Sequence, residues 1–502
     1  MSVPHVRVAI VGAGFGGIGT AARLLDEGVD SVVVFEKADE IGGVWRDNAY
    51  PGAACDVESH LYELRGAPNP DWSRWFAQQP EIWAYLQRIV AERGIGRHLR
   101  LAHTVEQATW DDDAAVWRIE TDRGDWTASV LVSAVGVLAE PRVPRIQGLD
   151  TFAGPVLHTA RWDPGLDLDR QRVAVIGTGA SAVQFVPAVQ PEVERLTLFM
   201  RTPPTLIARR DRPLDERWRQ RLGQWAWAKQ AVRAALYGVH EAQGLPFREP
   251  RLAGVGAWLA RRHLRAQVSD PDLRRRLTPG YRFGCKRVLL SDDFYPALTQ
   301  PNVTLAGAAA EVRPDAVVEA DGTAHPADVL VFATGFHVHD FPFIDRIVGR
   351  PGRLSEVWQG NPTAHLGTTV AGFPNLFLIQ GPNTGLGHSS VILMMEAQID
   401  HLIGALAAMD AHGLASVEPR PQAQAAFVAE VDQLSEGTAW TSGCDSWYLD
   451  ESGRNAAIWP GSVGAFRRRV APFVPSEYLA RRATGPRATG HRPVAEAAPQ
   501  SA

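Results

Sequence analysis

The chain has 502 residues, 45% of them hydrophobic and 21% charged, and a net charge of −5. That length exceeds one ordinary core, so two or three domains are expected, and the charge leaves no broad basic face for nucleic acid. No apolar run approaches the ~20 residues of a membrane-spanning helix, so no membrane partner is expected, and MSVPHVRVAIVGAG does not read as a secretory signal.

VRVAIVGAGFGGIGTAARLL (6–25) reads as a strand, a glycine turn and a helix. Gly12, Gly14 and Gly17 fit G-x-G-x-x-G. The first glycine permits the tight turn, the second lets backbone approach a pyrophosphate, and the third lets helix and strand pack closely. The helix N-terminal amides then face the phosphates. The next strand, SVVVFEK, ends in Glu36, at the distance where a carboxylate takes ribose hydroxyls. Strand, triplet, helix, strand and acid in this order point to a nucleotide site, read as FAD.

Apolar runs that stop at small residues, LVSAVGVLAEP (131–141) and VLVFATGFHV (329–338), each could return the chain from one nucleotide domain to the other. Between them QRVAVIGTGASAVQFVPAV (171–189) carries a second finger, Gly177, Gly179 and Ala182. Its second strand, RLTLFMRTP, ends in Arg201 and Thr202 rather than an acid. An Arg accommodates a 2′-phosphate that a carboxylate would repel, so this nucleotide is read as NADPH. A surface Arg at a strand end is the competing reading.

Residues 211–282 are rich in Trp, Arg, Leu and Ala at helical spacing, and WRQRLGQWAWAKQAVRAALYG (218–238) reads as one amphipathic helix. Cys55, Cys285 and Cys444 form no C-x-x-C pair, which argues against a zinc knuckle or a redox dithiol. Without a dithiol, a disulfide reductase with two dinucleotide fingers is set aside. The odd, sparse count fits a reducing cytoplasm. From about Arg481 the sequence holds almost no large apolar residues and is expected to be disordered.

Four segments carry a resemblance over most of the chain, from Val8 to about Val470. They are GGVWRDNAYPGAACD (42–56), FAGPVLHTARWD (152–163), GCKR (284–287) and FATGF (332–336). The chain resembles a class B flavoprotein monooxygenase, more narrowly a type I Baeyer–Villiger monooxygenase, whose fingerprint F-x-G-x-x-x-H-x-x-x-W fits Phe152, Gly154, His158 and Trp162. The resemblance implies an α/β fold of two Rossmann-like dinucleotide-binding domains, for FAD and NADP, with a helical insertion. The domains are placed at 1–145 and 331–470 (FAD), 146–210 and 283–330 (NADP) and 211–282 (insertion), with a C-terminal tail over 471–502.

The activity implied is NADPH- and FAD-dependent insertion of one oxygen atom of O2 next to a ketone carbonyl, through a C4a-peroxyflavin, giving an ester or lactone. Oxygenation of nitrogen or sulfur in a small molecule is the alternative; it does not need an active-site Arg. Resemblance assigns that Arg to Arg287, with Asp56 orienting it; the competing readings are a solvated Lys-Arg pair and a helix or turn cap. On the FAD side Phe15, Gly43, Val44, Trp45, Cys55, Tyr62 and Val105 are assigned to cofactor binding, with core packing the alternative for Trp45 and Tyr62. Gly381–Thr384 are placed near the isoalloxazine ring. On the NADP side Ala180, Ser181, Gln184, Lys286 and Trp447 are assigned. For Trp447 the carry-over is weaker, because GRNAAIWPG departs from the ending of the best-known members. His158 and Trp162 lie where the chain crosses between the two domains, so His158 reads as a linker anchor rather than a base. A small ketone and O2 are the expected partners, and the protein is expected to be a cytoplasmic monomer or homodimer.

Overall fold

The computed structural model describes residues 3–338, 343–444 and 446–483. His5–Val11 is the inner strand of a nine-stranded sheet, parallel to Val32–Phe35 on one side and Trp126–Ser133 on the other. Its β-branched and apolar run leaves Val8, Ala9 and Ile10 fully buried, with about 1.5–3 kcal/mol from each Val or Ile side chain removed from water. The helix Phe15–Asp26 follows the glycine turn and buries nine of its residues between this sheet and the helices Gln79–Glu92 and Val391–His412. Val105–Asp111 and Val116–Thr121 extend the sheet as an antiparallel meander, and Leu376–Leu378 adds to Trp126–Ser133 from much later in the chain.

The second sheet is wholly parallel, in the order Val303–Ala306, Arg195–Phe199, Arg172–Ile176, Val329–Phe332, Val156–His158. Val329–Phe332 is paired on both sides here, so a domain boundary between residues 330 and 331 cuts a strand; the sheet puts it after Phe332. The two crossings run side by side. Arg142 N–H donates to Gly335 O at 2.8 Å, and His337 N–H donates to Glu140 O at 3.0 Å.

The insertion is helical: Glu216–Gln224, Ala226–Gln243, Leu245–Arg248, Ala253–Gln267 and Pro271–Arg276. The single helix expected over 218–238 breaks at Trp225, whose backbone is extended at φ −126° and ψ 100°. Gly223 just before it lowers the helix propensity where the break falls.

Val391–His412 is long and apolar enough to cross a membrane by length and composition, with a mean hydropathy of 1.4. Glu396 and Asp400 interrupt it, so it escapes a search for unbroken apolar runs. It is a core helix: 67% of its most apolar window is buried inside the protein. Within the C-terminal tail Tyr478–Arg482 is a strand paired antiparallel with Leu414–Pro419, so the disorder expected from about Arg481 does not begin there. The remainder of the segment expected to be disordered, from residue 484, lies outside the described residues.

In the second finger Gly177 has φ +122°, and a Cβ there would lie 2.3 Å from Ala333 O. At Gly179 a Cβ would meet nothing within 4 Å, and the backbone is extended. Gly177→Ala should therefore destabilise the fold, by about 1–3 kcal/mol for the overpacking, seen as a lower urea midpoint. Gly179→Ala should leave the midpoint unchanged and weaken NADPH binding, measured by fluorescence titration, because the added methyl occupies the approach to the helix amides.

Candidate active site

A cleft of about 1090 Å³ runs between the two fingers. It is walled by Gly12, Gly14, Phe15 and Glu36 from the first nucleotide unit, and by Gly177, Gly179, Ala180, Ser181, Arg201 and Thr202 from the second. Gly17 and Ala182 do not line it. They are packing positions: a Cβ on Gly17 would sit 1.8 Å from Gly12 O, and Ala182 is buried in the second core. Gly12 needs its φ of +103° because a Cβ would lie 2.6 Å from Ala134 O.

Glu36 ends its strand with a buried carboxylate. Ala13 N–H donates to its Oε2 at 2.9 Å, Ala38 N–H donates to Oε1 at 3.1 Å, and Arg46 Nη1 lies 3.3 Å from Oε1. The acid thus holds the finger loop while facing the cleft. Open space beside Gly179, helix N-termini that no side chain caps and this carboxylate fit an FAD in the first unit and an NADPH in the second.

The segment 42–56 joins the units. Gly43, Val44, Trp45, Cys55, Asp56 and Tyr62 all face the cleft, as does Val105 from the meander. Trp45 Nε1 donates to Tyr62 Oη at 3.1 Å, and Phe15 packs edge-on to Tyr62 at 5.2 Å. Both the lining and the packing readings of these aromatics are thus present together. Gln184 projects from the second finger's helix and clasps the segment: its Nε2 donates to Ala54 O at 2.9 Å, and its Oε1 accepts from Tyr50 Oη at 2.8 Å. Burial pushes the Tyr50 phenol up to about 12, so it stays a donor. Gly52, with φ +83°, allows this approach, since a Cβ would lie 2.4 Å from Gln184 O.

Arg287 Nη2 donates to Asp56 Oδ2. The pair keeps 38% and 28% side-chain exposure on the cleft wall. Asp56 is therefore an ion-pair partner rather than a cap, and Arg287 is not a freely solvated cation. Burial works to raise the Asp56 pKa, but the Arg287 charge and hydrogen bond outweigh it and hold the carboxyl below its ordinary value. The Asp56 charge in turn holds the Arg287 pKa above its ordinary value. Lys286 lines the same cleft, with Nζ 5.5 Å from the Tyr281 ring centre. Trp447 stands at its edge, 40% exposed and 4.4 Å from the Tyr448 ring. Of Gly381–Thr384, Asn383 turns away from the cleft and donates from Nδ2 to Asn455 O at 2.7 Å.

His158 is not on the cleft wall. Its Nδ1 accepts from Ala160 N–H at 3.1 Å, its ring packs edge-on to Phe336 at 5.9 Å, and burial lowers its pKa. It caps a turn and pins the returning crossing. Trp162 packs on Phe185 at 5.2 Å in the second core. Gly154 is required by contact: a Cβ would lie 2.0 Å from Asp328 O.

Three features escape the sequence reading. Arg209 Nη2 donates to Cys55 O at 2.8 Å and supports the Asp56 segment from behind. Arg46, inside the segment 42–56, pairs with both Glu36 and Asp47, and nothing local in the sequence points to the Glu36 contact. Cys285 and Cys444, 159 residues apart, form a disulfide. The pair is no C-x-x-C motif, but it corrects the reading of a chain without a dithiol and of a cysteine count that fits a reducing compartment. A disulfide reductase is still disfavoured, because neither cysteine lines the cleft and Cys285 is fully buried. The bridge ties the GCKR segment to the segment bearing Trp447.

Residues 10–79 match the NAD(P)-binding Rossmann-like domain family. A Baeyer-Villiger monooxygenase of Streptomyces coelicolor is 48% identical over 94% of this chain and 92% of its own length. Another from Pseudomonas aeruginosa is 41% identical over 94% of this chain and 91% of its own. Among solved structures, cyclohexanone monooxygenase from Rhodococcus sp. Phi1 bound to NADP+ aligns with a TM-score of 0.86 at 30% identity, covering 96% of this chain and 100% of that one. With nearly half of its residues shared with one such enzyme across nearly its whole length, the chain belongs to the Baeyer–Villiger monooxygenase family.

Proposed function

We propose that Arg287, held by Asp56, is the cation that stabilises oxygen transfer to a ketone in this cleft. The protein is an FAD- and NADPH-dependent monooxygenase that inserts one atom of O2 next to a ketone carbonyl, giving an ester or lactone. Bound FAD, reduced by NADPH, supplies the activation of O2. The observation that carries the role of Arg287 is its ion pair with Asp56 on the wall shared by both fingers.

The chemistry builds negative charge on oxygen, first on the attacking oxygen and then on the former carbonyl oxygen. A guanidinium is permanently charged and cannot protonate the attacking oxygen away, as a histidine could. Asp56 restricts that guanidinium to one orientation, so little reorganisation is left for the reaction itself. Trp45, Tyr62 and Phe15 give the FAD end apolar walls. Gly43, Val44, Cys55 and Val105 complete that end, while Ala180, Ser181 and Lys286 line the NADPH end and Gln184 keeps the two ends together. Trp447 covers the NADPH edge, and Arg201 with Thr202 meets the 2′-phosphate. We place the enzyme in the cytoplasm, where NADPH is supplied, as a monomer or a homodimer acting on a small ketone; the net charge of −5 supports the reading without nucleic acid.

Arg287→Ala should lower ester or lactone formation by roughly 10²–10³-fold, the scale of losing one oxyanion donor. NADPH oxidation should persist, uncoupled from product; gas chromatography beside NADPH consumption reads both. Undiminished product would remove Arg287 from this role. Because Asp56 has a lowered pKa, the pair is intact at neutral pH, and its contribution to stability is lost only as pH falls through that lowered value. The acid limb of kcat should lie below the ordinary carboxylate range and vanish in Asp56→Asn.

Arg201→Ala should raise the KM for NADPH roughly ten- to a hundredfold, the scale of one hydrogen bond to a charged group. The KM for NADH should barely move. Steady-state kinetics with both nucleotides decides it, and equal effects would leave Arg201 a surface residue.

A further inference from the structure

The helical insertion is charged unlike the rest of the molecule. Residues 211–282 hold fifteen Lys and Arg against seven Asp and Glu, in a chain whose net charge is −5. Within it the helix Ala253–Gln267 contains no acid. Its inner half is made of small or anchored residues. Ala253, Gly256 and Leu264 are buried, a Cβ on Gly256 would collide with the Phe283 ring at 2.3 Å, and His263 Nε2 lies 2.8 Å from Ser291 O. The helix is therefore seated firmly by one side.

Its other side faces outward with an unusual mixture. At 3.6 residues per turn Leu252, Val255, Trp258 and Leu259 fall on one half of the cylinder. Their relative exposures are 39%, 52%, 54% and 46%. Arg251, Arg261, Arg262 and Arg265 flank them on the same half, all exposed. None has a carboxylate partner within 4 Å among the described residues. The Arg262 guanidinium lies 5.6 Å from the Trp258 ring centre. On the same insertion Trp225 and Trp227 form an exposed pair, 5.5 Å apart. Exposed apolar groups of this size mark a contact surface rather than an ordinary wet one.

We propose that this outer face of Ala253–Gln267 docks on an anionic lipid surface. Trp and Leu enter the boundary between headgroups and acyl chains, while the flanking arginines meet lipid phosphates. Charge decides between this occupant and a second copy of the chain. A two-fold interface built on this face would bring two arginine rows together, whereas an anionic membrane neutralises them. No lipid-spanning segment is needed for this, since a surface helix binds in the plane of the interface. The inner face of the helix rests on Phe283, which leads directly into Gly284–Arg287. A low-polarity ketone partitions into the same bilayer.

The test is co-sedimentation of the holoenzyme with vesicles of phosphatidylglycerol and phosphatidylcholine, beside vesicles of phosphatidylcholine alone. Binding should favour the anionic vesicles and fall steeply as salt rises. At ~1 kcal/mol for each arginine near the surface, the triple variant Arg261→Ala, Arg262→Ala, Arg265→Ala should bind roughly a hundredfold more weakly. The pair Trp258→Ala, Leu259→Ala should lose at least tenfold. Both variants should keep full turnover of a water-soluble ketone without vesicles, which shows that they fold. Absence of binding to anionic vesicles would overturn the proposal, as would binding that neither variant changes. A dimer by light scattering that Trp258→Ala dissolves, without vesicle binding, would do the same by making a second copy the occupant.

Discussion

The ion pair between Arg287 and Asp56 is the contact on which the site depends, because its two halves come from different parts of the chain. Asp56 closes the segment that follows the first glycine finger, and Arg287 enters from the far side of the helical insertion. Neither residue alone specifies a site. An unpaired guanidinium on a cleft wall samples many rotamers, and an unpaired carboxylate there would repel the developing oxyanion. Together they leave one cation with a fixed direction.

That fixation requires the segment 50–56 itself to be held, and the structure does so from the second nucleotide unit. Gln184 satisfies the Ala54 carbonyl and the Tyr50 hydroxyl, Gly52 lets the backbones meet, and Arg209 reaches the Cys55 carbonyl. The segment is thus held at Tyr50, Gly52, Ala54 and Cys55, the residues that lead into Asp56. Any relative movement of the two nucleotide units would be transmitted to the ion pair through these contacts. The disulfide between Cys285 and Cys444 adds a covalent tie two residues before Arg287.

The parts legible in the sequence are those whose cause is local. Gly12 and Gly177 are recognisable because a positive φ and a nearby carbonyl leave no room for a side chain, and Glu36 because a strand end fixes its distance from the finger. The order of the two glycine fingers followed from such units. Residues that act across the fold left no periodic trace. Arg209 sits in a stretch without helix or strand spacing, the two cysteines are 159 residues apart, and the break at Trp225 depends on one backbone conformation inside a well-patterned helix. Val391–His412 misleads in the opposite sense. Its composition suits a bilayer, and only packing from both sides identifies it as core.

FAGPVLHTARWD shows how a fingerprint can be specific without being catalytic. His158 is a histidine near two cofactor sites, which ordinarily invites a proton-transfer role. Burial lowers its pKa, Nδ1 is spent on the Ala160 amide, and its ring faces Phe336 on the returning crossing. A neutral imidazole so placed joins one crossing to the other. Gly154 must be glycine because Asp328 O passes where its side chain would be, and Trp162 anchors the far end of the stretch against Phe185. These positions answer to packing: His158 against the returning crossing, Gly154 against Asp328 and Trp162 against the second finger's helix. The geometry of the crossings in turn sets where the wall carrying Gln184 meets the wall carrying Asp56. His158 thus joins the two crossings by packing and stands off the cleft wall that carries Asp56 and Arg287.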